Sequence, residues 1–198
     1  MTTATRRRVV VPEGLSTLEY ERLMDPHTVG DPRSSTYKRD RMLLELLAGT
    51  GLRINEALTL ARDRIDLAES SLWIPAAYSK SGRARRVYMG PSMVTKIQSY
   101  LAGLPETQWA LFATSTGARL TDAHCRRLFK KFARRAGLPP ERIHPHALRH
   151  TYAIRFLGSG GTLETLRDQL GHASISTTAI YLQSASWFRA EQVAKLDL

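Results

Sequence analysis

Four side chains in the last third of the chain could together do chemistry on a phosphate. His146 and Arg149 are three positions apart and would share one face of a helix. His172 and Tyr181 follow in a second stretch, after a glycine. Arginine grips phosphate with two parallel donors, histidine exchanges a proton near neutral pH, and tyrosine offers a nucleophilic hydroxyl. These residue types predict phosphodiester chemistry, which must neutralise charge on the non-bridging oxygens, supply a nucleophile and protonate the departing alkoxide.

Tyr181 is the predicted nucleophile of this group. A free tyrosine has a pKa near 10, so about one molecule in a thousand is ionised at pH 7. The hydroxyl therefore needs cations or a base beside it. The alternative interpretation is a core tyrosine in a terminal helix.

Two cations from the first half of the chain are candidates for the same site. Arg53 and Arg149 each lie among apolar or neutral residues, which predicts an external phosphate as their partner. For Arg53 the alternative partner is Glu56, on the same turn. Lys80 lies in a predicted turn between two strands, from which it could reach a leaving oxygen as general acid. An ordinary turn lysine is the alternative.

Three histidines close together raise the alternative of a zinc site: His144, His146 and His150. Pro145 separates the first two, and no cysteine or glutamate completes a usual ligand set. The glycine run at 158–161 lacks the Lys-Ser/Thr of a phosphate-binding loop. We therefore expect neither a metal nor another cofactor.

The segment 121–137 has the pattern of an amphipathic helix with one strongly basic face. Its cations recur at i, i+1, i+4, i+5, i+8 and i+9 and would fill one half of the helix, opposite an apolar half. No acidic residue lies between them to relieve their repulsion, which favours contact with a DNA backbone over a solvated face. The predicted DNA-binding residues are Arg126, Arg127, Lys130, Lys131, Arg134 and Arg135.

The overall composition favours the same partner. The 198 residues carry 29 Lys+Arg against 18 Asp+Glu, a net charge of +11. This excess favours nucleic acid first and an anionic membrane surface second, with a generally basic soluble protein as the alternative.

Hydrophobic residues make up 42% of the chain, which is enough for a core. The single cysteine, Cys125, can form no disulfide within the chain, so a reducing compartment such as the cytoplasm is expected. No apolar run is long enough to span a membrane.

The residue periodicity predicts a mainly helical α+β domain with a small antiparallel sheet. Ser16 and Glu19 form a capping box for the first helix, and short β-rich runs occupy 65–67, 71–75 and 85–89. Residues 25–35 are predicted to be loop. The predicted helices are 16–24, 37–48, 53–60, 91–101, 121–137, 145–157, 162–170, 176–183 and 186–198, the last with Trp187, Phe188, Val193 and Leu196 buried.

The motifs, taken in order, resemble the tyrosine recombinase (phage integrase) family. The 23 positions from Arg149 to His172 and the 9 from His172 to Tyr181 match the family's spacing. The resemblance covers 15–183 and implies the family's catalytic fold, mostly helical with a small three-stranded antiparallel sheet. The segments that carry it are Gly49-Thr-Gly-Leu-Arg53-Ile-Asn-Glu-Ala-Leu58, His146-Ala-Leu-Arg149-His150, Leu170-Gly-His172 and Tyr181.

The resemblance implies a site-specific recombinase that cuts and rejoins DNA. In it the two arginines clamp the scissile phosphate, the histidines contact it, the lysine protonates the 5′ oxygen and the tyrosine forms a 3′-phosphotyrosyl link. That link keeps the phosphodiester energy, so family members need neither metal nor ATP. The alternatives are relaxation like that of a type IB topoisomerase, and a non-catalytic DNA-binding regulator. The implied catalytic residues are Arg53, Lys80, His146, Arg149, His172 and Tyr181.

The resemblance also implies partners and a division of the chain. The partner is a specific double-stranded DNA site, bound by a tetramer at the nucleoid in the cytoplasm. Residues 1–14, with three consecutive arginines, are predicted to be an extended basic leader, 15–185 the catalytic domain and 186–198 a C-terminal helix. Most relatives carry a helical DNA-clamping domain ahead of the catalytic one. We therefore expect either a catalytic fragment or a single-domain member like the fimbrial phase-inversion recombinases. For the final helix, exchange into a neighbouring protomer and packing on its own domain are both hypotheses.

Overall fold

The computed structural model describes residues 13–194, apart from the side chains at 183, 186–192 and 194. These residues have the predicted fold class, mainly helical with one three-stranded antiparallel sheet. The helices are α1 (Thr17–Met24), α2 (Pro26–Val29), α3 (Tyr37–Thr50), α4 (Ile54–Leu58), α5 (Pro91–Ala102), α6 (Asp122–Arg135), α7 (Pro145–Gly158), α8 (Leu163–Leu170) and α9 (Ile175–Ala194). The strands are β1 (Ile65–Asp66), β2 (Ser71–Ile74) and β3 (Arg85–Tyr88).

The core forms around α3, which is covered on more than one side. Leucines at successive positions of this helix are fully buried, and α3 packs against both α5 and α7. A helix that is apolar around much of its circumference needs this cover, because one neighbour can bury only one stripe. The buried leucines of α3 are Leu43, Leu44, Leu46 and Leu47.

The end of α3 brings the chain to the first predicted arginine. Gly51 ends the helix in the left-handed conformation, with φ 65°. A Cβ at this position would lie 2.5 Å from Tyr152 and 2.8 Å from Leu170, so both conformation and space require glycine. Arg53 follows two residues later as the N-cap of α4.

The sheet has the order β1-β2-β3 and positions the predicted lysine. β2 pairs antiparallel with both neighbours, and all its residues are buried except Trp73. Gln169 of α8 holds β3, since its side chain accepts from the Tyr88 N–H at 3.0 Å and donates to the Tyr88 carbonyl at 2.7 Å. The β2–β3 connection contains a 3₁₀ turn at Ala76–Tyr78 and leaves Lys80 exposed.

The predicted capping box at the start of α1 is present. The Glu19 carboxylate accepts from the Ser16 N–H at 2.8 Å, and the Ser16 hydroxyl accepts from the Glu19 N–H at 3.3 Å. Arg142 donates to the same carboxylate, and the Leu15 N–H donates to the Thr151 hydroxyl at 2.8 Å. The Arg142 bonds hold α1 to the loop before α7, and the Leu15 bond holds the segment before α1 to α7 itself.

Two predictions about the elements were wrong. The segment 25–35, predicted as loop, begins with α2, because Asp25 caps a turn that has Pro26 at its first position. The predicted helices 176–183 and 186–198 are one continuous helix, α9, as far as Ala194. No glycine or proline separates them, and the serines between them do not end a helix.

The burial predicted for the final segment is contradicted at the position that can be checked. Val193 is 62% exposed, not buried. The side chains of Trp187 and Phe188, Leu196, and residues 1–12 of the predicted leader lie outside the described residues. Within the described part of the chain, no helix combines the length and apolarity that crossing a membrane requires.

Candidate active site

All six predicted catalytic side chains line one cavity of about 1030 Å³. They come from five separate parts of the fold: the α3–α4 junction, the β2–β3 connection, α7, the α8–α9 loop and α9. The packing of α7 against α8 and α9, and of α8 against β3, brings these parts together. The residues concerned are Arg53, Lys80, His146, Arg149, His172 and Tyr181.

Arg149 is the most buried of the three predicted catalytic cations. Its side chain is buried, with the residue 4% exposed. Its guanidinium donates to the carbonyls of Gly51 at 2.6 Å and Leu170 at 2.7 Å, and to His172 Nε2 at 3.0 Å. Among the described residues no carboxylate forms an ion pair with it. Burial, and then the nearby charge of Arg53, lower the pKa of Arg149 to about 10, so the group is still cationic at pH 7. A buried cation without an acidic partner is stabilised when it pairs with an external anion.

Arg53 shares a buried carboxylate with a second arginine. Glu56 is 1% exposed and accepts from Arg53 at 3.2 Å and from Arg85 at 2.8 and 2.9 Å. Burial opposes the ionisation of Glu56, but the hydrogen bonds and charge of Arg85, with help from Arg53, lower its pKa overall. Two guanidiniums therefore face one carboxylate, and the group keeps an excess positive charge. Both sequence interpretations of Arg53 are compatible with this, since it contacts Glu56 and also lines the cavity.

His146 and Lys80 form the open side of the cavity. Both side chains are exposed. Partial desolvation, followed by the charges of Arg149, Arg53 and Lys80, lowers the pKa of His146. The imidazole is therefore neutral at pH 7 in the free protein.

His172 has both ring nitrogens engaged. Its Nε2 meets Arg149 and its Nδ1 lies 2.9 Å from the Thr178 hydroxyl. An arginine can only donate, so Nε2 must be the acceptor and Nδ1 carries the proton. Burial, and then the charge of Arg149, lower the pKa of His172 to about 4. To donate to a phosphate from Nε2, His172 has to release Arg149 and gain a proton at that nitrogen.

Tyr181 lies at the inner wall of the cavity and is 2% exposed. Its hydroxyl is 2.8 Å from Nδ1 of His150, and its ring stacks on that of His172 with centroids 6.5 Å apart. Burial raises the pKa of Tyr181, while the charges of Arg149 and Arg53 act in the opposite direction. The hydroxyl is therefore protonated at neutral pH.

His150 is a site residue that the sequence reasoning missed. Its spacing of four from His146, which places both on one side of a helix, is the sequence signal that indicates it. Burial, and then the charges of His146 and Arg149, lower its pKa to about 4. Among the described residues, no group of three or more His, Cys, Asp or Glu side chains is arranged to hold a metal ion.

The basic helix has the predicted two-sided character. Its apolar side is buried, and all six predicted DNA-binding cations are exposed. Arg126 and Lys130 also line the cavity, and Arg126 pairs with Asp122. Arg135 differs from the others, because its guanidinium lies against Gly30 and donates to the Val29 carbonyl.

The chain is similar to proteins named as tyrosine recombinases. It is 36% identical over 146 residues to the tyrosine recombinase XerC of Yersinia pestis, covering 72% of this chain and 47% of that protein. The crystal structure of XerA recombinase superposes with a TM-score of 0.75 at 28% identity, covering 99% of this chain and 67% of that one. XerH recombinase, in a post-cleavage complex with palindromic difH substrate, superposes with a TM-score of 0.75 at 25% identity, covering 94% of this chain and 54% of that one.

The chain spans about half the length of the curated relatives it matches. The model of the phage integrase family matches residues 14–186, which include every residue of the cavity described above. With that match over most of its length, the chain belongs to the phage integrase family.

Proposed function

We propose that the chain catalyses site-specific DNA recombination, cutting and rejoining strands through a covalent 3′-phosphotyrosyl intermediate. The observation that carries the proposal is the convergence of a tyrosine hydroxyl with two arginines whose positive charge is not fully neutralised, in one cavity. A phosphodiester in this cavity would meet a nucleophile and a preorganised cationic clamp together.

The proposed cleavage step assigns one task to each part of the cavity. The Tyr181 oxygen attacks phosphorus and the bond to the 5′ oxygen breaks. Arg53 and Arg149 stabilise the charge that develops on the non-bridging oxygens, with His146 and His172 as further contacts. Lys80, on its exposed connection, protonates the departing 5′ oxygen. Rejoining is the reverse attack by a 5′ hydroxyl, so the proposal requires no metal and no ATP.

Two cations of α6 are the best candidates to hold the DNA next to the cleaved phosphate. Arg126 and Lys130 lie one turn apart and line the cavity, and Arg134 continues the same row one turn further. Arg127 and Lys131 extend the basic surface on the adjacent row. Arg135 is the weakest of the six candidates, because it already bonds to α2.

The proposed partner is a specific double-stranded DNA site, bound by a tetramer at the nucleoid in the cytoplasm. XerH is described in complex with its difH DNA, which supports a DNA partner.

The C-terminal segment 186–198 is proposed to exchange between protomers. Its support is the apolar surface that α9 leaves exposed at Leu182 and Val193.

A trapping experiment with randomised DNA tests the proposed function. A pool of nicked duplexes with randomised arms is incubated with the protein, and DNA that stays bound in SDS is recovered and sequenced. The expected result is an adduct enriched in one sequence and lost in Tyr181→Phe. No adduct above that of Tyr181→Phe would contradict catalysis. Relaxation of plasmid without joining of two duplexes would favour a topoisomerase-like activity.

A further inference from the structure

We propose that His150 is a catalytic residue that accepts the proton of Tyr181 as the tyrosine oxygen attacks phosphorus. This inference rests on the proposed function. It concerns which side chain activates the nucleophile, and the starting observation is the 2.8 Å contact between the Tyr181 hydroxyl and His150 Nδ1.

The placement of both residues favours this assignment. Tyr181 is 2% exposed, so bulk water has little access to its hydroxyl in the free protein. His172, which stacks on the same ring, has its two nitrogens engaged with Arg149 and Thr178. His150 is the imidazole whose nitrogen meets the nucleophile directly. It lies on α7 beside Arg149, so one helix turn presents both the phosphate clamp and the proton acceptor.

The electrostatic surroundings keep the imidazole of His150 neutral, so that it can accept a proton. The charged and titratable groups that face it are His144 at the N-cap of α7, His146 and Arg149 on α7, and His172 from the α8–α9 loop. Burial together with these groups keeps the imidazole neutral at pH 7. In the free protein the same surroundings oppose proton transfer. A phosphate anion bound by the arginines offsets their charge, so His150 gains basicity when substrate is present.

The proposed step balances as a single concerted exchange. The O–H bond of Tyr181 breaks as its oxygen bonds to phosphorus, and the proton moves to Nδ1 of His150. The electron pair of the broken P–O bond stays on the 5′ oxygen, which takes a proton from Lys80. During rejoining the imidazolium returns its proton to the tyrosine oxygen as that oxygen leaves phosphorus, as microscopic reversibility requires.

The first test uses the free protein and requires no cleavage activity. Spectra of ¹⁵N-histidine-labelled protein distinguish the two imidazole tautomers of His150. We expect an unprotonated Nδ1 and a protonated Nε2 at neutral pH, with the Nδ1 resonance shifting in Tyr181→Phe. A protonated Nδ1 would make His150 a donor to the tyrosine oxygen and overturn the proposal, whatever the protein does to DNA.

The second test separates the nucleophile side of the reaction from the leaving-group side. Single-turnover cleavage is compared on the recovered duplex and on the same duplex with sulfur in place of the bridging 5′ oxygen, since a thiolate leaves without a general acid. His150→Asn keeps a hydrogen-bonding group near the Nδ1 position but removes the base. We expect it to slow cleavage about 10²-fold on both substrates. Lys80→Ala should be slow only on the oxygen substrate.

Controls in the same assay separate a chemical role from a structural one. His27→Asn, an exposed histidine on α2, is the matched variant and should cleave at the wild-type rate. The His150→Asn variant should keep the wild-type unfolding temperature and DNA affinity. If it cleaves within a few-fold of the wild type, or if sulfur restores its rate, the proposal is wrong. If His150→Asn unfolds, His150→Gln takes its place under the same criteria.

Discussion

At the scale of single residues, the site depends on charges that are only partly neutralised. Arg149 bonds to two carbonyls and a neutral histidine, none of which cancels its charge. Glu56 is shared between Arg53 and Arg85, so one negative charge serves two positive ones. Carbonyl partners and a shared carboxylate fix the arginines in place while their attraction for a phosphate is retained.

Arg85 is expected to stabilise the fold through this shared carboxylate. Arg85→Met leaves Glu56 buried with Arg53 as its remaining ion-pair partner among the described residues, and breaking a buried pair costs roughly 3 kcal/mol or more. The free energy of unfolding, measured in urea, should fall by this amount. Arg86→Met is the matched control: Arg86 is half-exposed and 3.5 Å from Asp66, so its loss should cost about 1 kcal/mol or less. Equal losses in the two variants would contradict a special role for the Glu56 pair.

At the scale of elements, local patterns predicted some structures well and others poorly. The capping box of α1 and the two-sided character of α6 depend on residues within a few positions of each other, and both were confirmed. The continuity of α9 was not predicted, although no glycine or proline separates its two halves. The exposure of Val193 shows that an apolar residue near a terminus need not face its own core.

The α6 helix is expected to contribute phosphate contacts mainly through the cations that line the cavity. Affinity falls as salt rises, and each lost phosphate contact makes the plot of log affinity against log salt less steep by about 0.9. The double variant Arg126→Gln with Lys130→Gln should therefore reduce the magnitude of the slope by about 2. The measurement is a salt titration with a short duplex. Arg22→Gln with Lys38→Gln removes the same charge from exposed positions on α1 and α3 and should leave the slope unchanged. Equal reductions in both pairs would mean that overall charge, not α6, determines binding.

At the scale of the whole molecule, the site is assembled from residues that are far apart in the sequence. The sequence predicts roles for Arg53, Lys80, Arg149 and Tyr181 from residue type and order, and the structure places these residues in one cavity. It could not predict which side chains meet across the fold. The contact of Glu56 with Arg85 depends on how α4 lies against β3, and the contact of His150 with Tyr181 depends on how α9 packs against α7. No pattern within one element encodes such long-range pairings.

We propose that Tyr181, held in this assembled cavity, is the residue that attacks DNA. The most direct measurement is mass spectrometry of the SDS-stable adduct after nuclease and protease digestion, which identifies the side chain that retains a nucleotide. We predict a single modified peptide, with the nucleotide 3′-phosphate linked to the oxygen of Tyr181. A nucleotide on any other residue, or a covalent adduct that persists in Tyr181→Phe, would contradict this account.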